Sequence, residues 1–378
     1  MHRNAFLVDL LDALRARLPA ERHGLAAAFS RQFWARIPED ELDEWESSDA
    51  VGVTIAAFGH FASRAADRVD IVVRNPEFER DGWASRHTIV LIAHPDMPFI
   101  TDSVLMQLSH SEAATHHLQN VVFDAVRDSA NGLVRLERGA PGARGEALIY
   151  AEISRIEDAR LAGLRGRLED TLADVRAVVN DFGAMKQRIG EIVAALESAP
   201  PASVPKSEVD ESIAFLRWLL LGNFTFLGYR EFDFSEGLMR QIEGSALGML
   251  KNRDAASTRA LADQSAATRA FVLEPRLLAF SKSGTRSRVH RPAYPDYVAV
   301  KRFDGEGRVI GELGFLGLYT SPVYTERPER IPVIRTKVAN VKARSGLRPD
   351  GFDGKVLSQV LASHPRDELF QASEDELL

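Results

Sequence analysis

Thr88-Ile89-Val90-Leu91-Ile92-Ala93, running directly into His94-Pro95-Asp96-Met97-Pro98-Phe99-Ile100-Thr101-Asp102-Ser103, decides the fold. The first six residues are aliphatic or β-branched and uncharged, so they read as a strand. His94-Pro95 ends it. Asp96 is placed to cap a helix with Pro98 in its first turn, and that helix is predicted to run to about Ser109. Just upstream, Val69-Asp70-Ile71-Val72-Val73 is a second β-branched run, stopped by Asn75-Pro76. Downstream, His117 to Arg127 alternates moderately. A loop carrying Gly132, Gly139, Pro141, Gly142 and Gly145 follows, and Ala147 to Ile153 forms another strand. Glu157 to Asn180 places Leu161, Leu164, Leu168, Leu172, Val175 and Val179 on one helical stripe, and a further helix is predicted over about 183–197. The order β-α-β-β-α is close to a ferredoxin-like unit, and the fold class is α+β.

Outward from this unit, residues 4–18 carry Phe6, Leu7, Leu10, Leu11, Leu14 and Leu18 at helical spacing and stop at Pro19. Helical patterns at about 22–36 and 50–66 complete a small cap over residues 1–68, in front of a module spanning 69–198. Three prolines in Pro200-Pro201-Ala202-Ser203-Val204-Pro205 favour an extended spacer, and a boundary is placed at 199–206. The second half, 207–330, opens with a helix from Glu208 to Leu221. A strand from Phe224 to Phe234 follows, on which period 2 puts Phe224, Phe226, Phe232 and Phe234 on one face. Residues 251–270 read as a surface helix or loop. Leu277 to Phe280, Tyr297 to Phe303 and Val309 to Tyr319 read as strands, the last two joined by the turn Asp304-Gly305-Glu306-Gly307. A mostly antiparallel sheet with flanking helices fits this half. Helices at about 331–345 and 353–363, the second capped by Asp353, lead through 331–378 to an acidic, amphipathic end.

Composition narrows the functional classes. The 378 residues carry 47 Lys and Arg against 54 Asp and Glu, a formal charge of −7, which disfavours a broad nucleic-acid surface. Cysteine is absent, which removes disulfides, thiolate nucleophiles and Cys-rich zinc sites. No apolar run reaches the roughly 18–20 residues that cross a bilayer. Asp9 and Asp12 interrupt what would be the apolar core of a signal peptide. A soluble, cytoplasmic chain without nucleic-acid or membrane partners is expected.

Searches for catalytic motifs return little. Gly305-Glu306-Gly307-Arg308-Val309-Ile310-Gly311 has one residue too many for a dinucleotide loop and lacks a following helix. Gly351-Phe352-Asp353-Gly354-Lys355 lacks the P-loop spacing. His116 and His117, adjacent on a strand, point to opposite faces and do not readily chelate one metal. No catalytic and no metal-binding residues are assigned.

Two polar clusters remain as candidate effector or anion sites. Lys282, Arg286, Arg288, His290 and Arg291 crowd into the loop Ser281 to Pro292 of an otherwise acidic chain. That loop either binds a carboxylate, a phosphate or an acidic partner surface, or is a solvated basic loop. Asp96, Asp102 and Ser103 lie at the strand-to-helix turn, where exposed N–H groups can receive an amino acid's carboxylate, or where the turn is simply well capped.

His94-Pro95-Asp96-Met97-Pro98-Phe99-Ile100-Thr101-Asp102-Ser103-Val104 resembles the DMPFLVDSV segment of the large bacterial NAD-specific glutamate dehydrogenases. Phe215-Leu216-Arg217-Trp218-Leu219 with Phe224-Thr225-Phe226-Leu227-Gly228-Tyr229-Arg230 resembles that family's FLRWL and FTFLGYR segments. Ser287-Arg288-Val289-His290-Arg291-Pro292, Tyr297 to Phe303, Val309 to Glu312, Phe315 to Ser321 and Pro365-Arg366-Asp367-Glu368-Leu369-Phe370-Gln371 match in the same order.

The resemblance implies an N-terminal segment with an ACT-like module followed by a PAS-like one, in a parent that oxidatively deaminates L-glutamate to 2-oxoglutarate and ammonium. It implies that the catalytic part lies downstream, with NAD bound by the parent and no cofactor bound by this chain. Expected partners are the rest of the parent polypeptide, further copies of the chain in a homo-oligomer, and an amino-acid effector. The competing expectation is a free-standing amino-acid-binding sensor module from a truncated gene. Residues 109–114 carry no Gly where amino-acid-binding ACT modules place one, which favours an architectural role for the first module.

Overall fold

The computed structural model describes residues 3–65, 67–111, 113–251 and 258–378. The chain is α+β and forms two compact units, Met1–Ala173 and Asp174–Leu378. Among the described residues no helix is long and apolar enough to cross a membrane.

In the first unit, α1 (Arg3–Arg17), α2 (His23–Phe33), α3 (Glu39–Leu42) and α4 (Ser47–Ser63) form the cap. They are followed by β1 (Asp70–Arg74), α5 (Phe78–Asp81), β2 (His87–Pro95), α6 (Ile100–Ser109), β3 (Thr115–Arg127), β4 (Leu133–Leu136) and β5 (Arg144–Ser154). The strands form one antiparallel sheet in the order β1-β2-β5-β3-β4. β2, α6 and β3 make the crossover, and β5 returns between the two strands it connects, as in a ferredoxin-like unit. Phe6, Leu10 and Leu14, each four residues apart, turn one face of α1 inward to Phe29, Phe33, Phe58 and Phe61. Leu91, Phe123, Leu148 and Tyr150 cover this aromatic core from the sheet. Val90 and Ile92 are equally buried from the other face, so β2 is buried on both sides.

The end of α4 is fastened to the sheet by charge. Arg127 donates to the terminal carbonyls of Phe61 (2.9 Å) and Ala62 (3.1 Å). It also pairs with Glu146 at 2.9 Å, while Arg64 reaches Glu146 at 2.5 Å. All three side chains are buried. A helix leaves its last carbonyls unpaired, and here a guanidinium answers them and is neutralised in turn.

α7 (Asp158–Ser198) begins in the first unit and ends in the second. The second unit continues with α8 (Lys206–Trp218), β6 (Phe224–Ser235), β7 (Leu238–Gln241), β8 (Leu247–Gly248), β9 (Arg259–Ala260), α9 (Ala266–Leu273), β10 (Leu278–Lys282), β11 (Asp296–Phe303) and β12 (Val309–Tyr319). Helices α10 (Ser321–Thr325), α11 (Ile334–Arg344), α12 (Phe352–Ser363) and α13 (Arg366–Gln371) close it. Its antiparallel sheet runs β10-β11-β12-β6-β7-β9, with β8 also on β6. Phe215 and Leu216 of α8, Phe226, Val298, Phe315, Tyr319, Val338 and Phe370 meet in its main core.

Several expectations are corrected. The two helices read at 157–180 and 183–197 are one helix of 41 residues. Asp181 does not break it, because its carboxylate is taken up by Gly248 N at 2.8 Å and Lys251 Nζ at 2.9 Å. Within the Gly-rich loop β4 forms and β5 starts early, at Arg144. Asp96 does not cap α6: the helix starts at Ile100, Phe99 precedes it in the left-handed region (φ 70), and Asp96 N bonds Gly145 O at 2.9 Å. Likewise Gly351, not Asp353, stands before α12. The four phenylalanines of β6 do not share a face. The pairing with β12 slips between Leu316 and Gly317, leaving Leu227 without an opposite residue. This bulge reverses the alternation, so Phe224 and Phe226 enter the main core while Phe232 and Phe234 join Met239, Leu261 and Val272 in a separate one. The proline-rich stretch is folded rather than extended, with Val204 N on Pro201 O at 3.1 Å and Val204 buried in the main core. Of 251–270, residues 252–257 lie outside the described residues; the remainder holds β9, a 3-10 turn and part of α9.

Candidate functional site

In the first unit the predicted turn is present, with its hydroxyls bonded within the protein. Asp96 and Asp102 are exposed, and Ser103 is buried. Ser103 Oγ donates to Phe99 O at 2.6 Å, bonding its own helix in place of an incoming ligand. Thr101 Oγ1 accepts from Asn120 Nδ2 at 2.9 Å. The adjacent histidines also separate: the ring of His116 stacks on His87 at 4.3 Å, while that of His117 faces Tyr150 at 5.8 Å.

The basic loop of the second unit is an ordered excursion between β10 and β11. Ser283 N bonds Pro295 O and Ser287 N bonds Ala293 O, both at 2.8 Å. Val289 is fully buried and anchors the tip. This geometry divides the five predicted cations. Arg288 goes to Asp174 at 2.7 Å. Arg286 lies 5.4 Å from the ring of Tyr294. His290 sits at φ 70, a left-handed conformation that orients the turn. Lys282 and Arg291 alone among the five line a common cleft of about 350 Å³.

That cleft supplies opposite charges the sequence reading did not pair with them. Lys282 Nζ stands 2.6 Å from Asp367 Oδ2 of α13 and 3.2 Å from Asp296 Oδ1, its cross-strand partner. Arg291 Nη2 donates to Tyr319 O at 2.7 Å and its guanidinium lies 5.9 Å from the ring of Tyr324. Arg291 Nε and Tyr319 Oη are buried and have no hydrogen-bond partner among the described residues. Burial pushes the Asp296 carboxyl up to about 6 against the pull of Lys282. Burial opposes the charge on Lys282, but the hydrogen bond to Asp367 and the charge of Asp296 win and raise its pKa. Two cations, two carboxylates and the tyrosines 294 and 324 thus surround one small volume. Such a site discriminates ligands by the arrangement of their charges rather than by their sum.

Asp367 was within reach of sequence reading, since it belongs to Pro365-Arg366-Asp367, but nothing local joins it to Lys282, 85 residues earlier. Asp296 follows from the register of β10 on β11, Lys282 opposite Asp296, which a strand prediction alone does not fix. Gly305 and Gly307 join β11 to β12 and Gly311 lies within β12, with no helix N-terminus behind them, so that loop does not fit a dinucleotide pyrophosphate. Among the described residues no group of His, Asp and Glu is arranged to hold a metal ion.

Comparison with known proteins adds to this geometry. The family model "Glutamate dehydrogenase, ACT1 domain" matches residues 29–168, and "Glutamate dehydrogenase, helical motif 1" matches 331–378. The NAD-specific glutamate dehydrogenase of Pseudomonas aeruginosa is 42% identical over 381 residues, covering 98% of this chain and 23% of the relative. That of Halomonas elongata is 36% identical, covering 98% of this chain and 24% of the relative. That of Mycobacterium tuberculosis is 28% identical over 283 residues, 74% of this chain and 17% of the relative. The chain spans about a quarter of the length of the first two relatives.

Proposed function

Because the chain belongs to the NAD-specific glutamate dehydrogenase family and corresponds to its N-terminal segment, we propose that it serves regulation and assembly in such an enzyme and carries no catalytic machinery itself. The parent reaction is the oxidative deamination of L-glutamate to 2-oxoglutarate and ammonium with NAD as acceptor, in the cytoplasm. The observation that carries this reading is the match of residues 29–168 to the ACT1 domain of glutamate dehydrogenase, in a chain whose glycine-rich turn does not suit a dinucleotide. The second unit is read as PAS-like. Support comes from a sheet in which the first long strand, β6, and the last, β12, are central neighbours while β10 and β11 lie outward of β12.

The sheet of the first unit suggests how the segment joins copies of itself. β3 pairs with β4 only at Ala125 to Arg127, so among the described residues 115–123 have a strand on the β5 side alone. An uncovered run of that length is a template for a second strand. Two measurements test the reading. The purified 378-residue chain, given L-glutamate and NAD, is expected to produce no NADH, and turnover would refute the regulatory reading. Light scattering is expected to find a self-associated species that a proline at Val122 disrupts; a monomer at all concentrations removes the assembly role.

A further inference from the structure

We propose that the cleft beneath the loop 283–295 binds a free α-amino acid as its zwitterion, with the carboxylate at Arg291 and the ammonium at Asp296 and Asp367. This deepens the regulatory reading above and rests on it for its purpose, while the binding event itself is a property of the cleft and is measured separately.

Charge selects the ligand class. Lys282 and Arg291 balance Asp296 and Asp367, so the site is neutral as a whole. A simple anion would meet two carboxylates, and a simple cation would meet an ammonium and a guanidinium. A molecule carrying both charges a few bonds apart satisfies each pole. Unmet hydrogen-bonding capacity points the same way. Arg291 gives Nη2 to Tyr319 O, but its buried Nε has no partner among the described residues. That nitrogen is closed to the cleft, but the guanidinium lines it, and the N–H groups that Tyr319 O does not take are donors for a carboxylate. Asp296 and Asp367 each turn one oxygen, Oδ1 and Oδ2 respectively, to Lys282. A carboxylate accepts several hydrogen bonds, so the other oxygens are suited to an ammonium. The volume of about 350 Å³ falls at the small end of ligand cavities, which span about 300–1,000 Å³. Leu318, Tyr294 and Tyr324 supply apolar and aromatic wall, which suits an uncharged, apolar side chain. Asp367 comes from α13 and Tyr324 from α10, so occupancy would clamp these helices onto the end of β10 and β11.

The test is calorimetric titration of the 378-residue chain with L-leucine and L-phenylalanine, beside two fragments of leucine. The fragment 4-methylpentanoate lacks the ammonium, and 3-methylbutylamine lacks the carboxylate. At least one amino acid is expected to bind, with each fragment weaker by about tenfold or more. Arg291→Gln and Asp296→Asn are each expected to weaken the amino acid by about tenfold, and Arg291→Lys by less, while Arg308→Gln, in the exposed turn between β11 and β12, leaves it unchanged. Circular dichroism of each variant establishes that it is folded. No binding of either amino acid up to about 10 mM overturns the proposal, as does equal affinity for a fragment or full affinity in the folded Arg291→Gln variant. The glutamate and NAD assay is independent of these outcomes, so either reading can fail without the other.

Discussion

Lys301 and Glu312 are direct cross-strand partners on β11 and β12, with Nζ and Oε2 2.5 Å apart and both side chains buried. Tyr297 Oη donates to the other glutamate oxygen at 2.8 Å, and the lysine ammonium lies 4.8 Å from the ring of Phe271. Burial lowers the lysine pKa while Glu312 holds it up. Removing one partner of a buried pair strands the other charge. Lys301→Met is therefore expected to destabilise the second unit by about 3–5 kcal/mol. Adding Glu312→Gln, which keeps an acceptor for Tyr297 without the charge, should recover a large part of that. Hydrogen exchange of the β11 and β12 amides reads both effects locally.

Gly317 and Gly59 are expected to respond oppositely to alanine. A Cβ on Gly317 would lie 2.4 Å from the backbone oxygen of Thr225 and 2.3 Å from the Phe224 ring. The carbonyl cannot give way without breaking the β6–β12 pairing, so Gly317→Ala should cost about 1–3 kcal/mol or more. Gly59 lies within α4 with open space where a Cβ would stand, so Gly59→Ala should stabilise by about 0.5–1 kcal/mol. Thermal melts of the two variants against the parent decide the signs.

His94 makes stability depend on pH. Its Nδ1 bonds Pro95 O at 2.8 Å, its Nε2 is buried without a partner among the described residues, and burial lowers its pKa to about 4. Arg64 adds to that lowering, while the Pro95 carbonyl and Asp96 oppose it. Above about pH 6.5 the ring is neutral whether the chain is folded or not. As pH falls from 6.5 towards 4, only the unfolded chain takes the proton, so stability is progressively lost, by about 3 kcal/mol at most. Asp296, whose carboxyl is raised by burial, works in the opposite direction across much of the same window. The difference between the parent and His94→Gln isolates the histidine: the parent should lose stability relative to the variant as pH drops below 6.5, and a flat difference would remove His94 as the cause.

Amino-acid binding in the cleft should weaken on acidification. An ammonium needs Asp296 ionised, and burial has moved that carboxyl to about 6. Lys282 and Asp367 face it across β10 and α13, Arg291 from the loop, and Tyr319 and Tyr324 from β12 and α10. Of these, Asp296 is the group moved into the range just below neutrality. L-leucine affinity measured at pH 7.5 and at pH 5 should fall by about tenfold, and the fall should vanish in Asp296→Asn.

Sequence disclosed the parts of this fold that are governed by local chemistry. β2 shows as an uninterrupted apolar run, and the β11–β12 hairpin is announced by its turn, where Asp304 accepts from the N–H groups of Glu306 and Arg308, both at 2.9 Å. What escaped depends on distant partners. The bulge at Leu227 exists because β12 pairs on both sides of it, so the strand's own alternation points two phenylalanines to the wrong core. Asn180-Asp181-Phe182-Gly183 has the composition of a helix end, yet α7 continues because Asp181 and Phe182 are held by Gly248, Lys251 and Phe226. The same holds for the cleft: the basic residues are contiguous and visible, whereas Asp296 and Asp367 become partners of Lys282 only once β10 meets β11 and α13 docks.

The final helices take their closure from elsewhere in the chain. Lys337 Nζ donates to the carbonyls of Leu369, Phe370 and Ala372 at the end of α13, and Arg366 reaches Ala362 O, His364 O and Glu326 O. Phe370 itself stacks on Phe280 and Tyr319 of the sheet. A peptide cut from residues 346–378 would keep Arg366 but lose Lys337, the Glu326 carbonyl and that apolar bed, and its two helices, of 12 and 6 residues, are too short to persist in water. The terminal motif is thus not a portable module: grafted onto another protein it would arrive as coil, and whatever it does depends on the sheet it leans against.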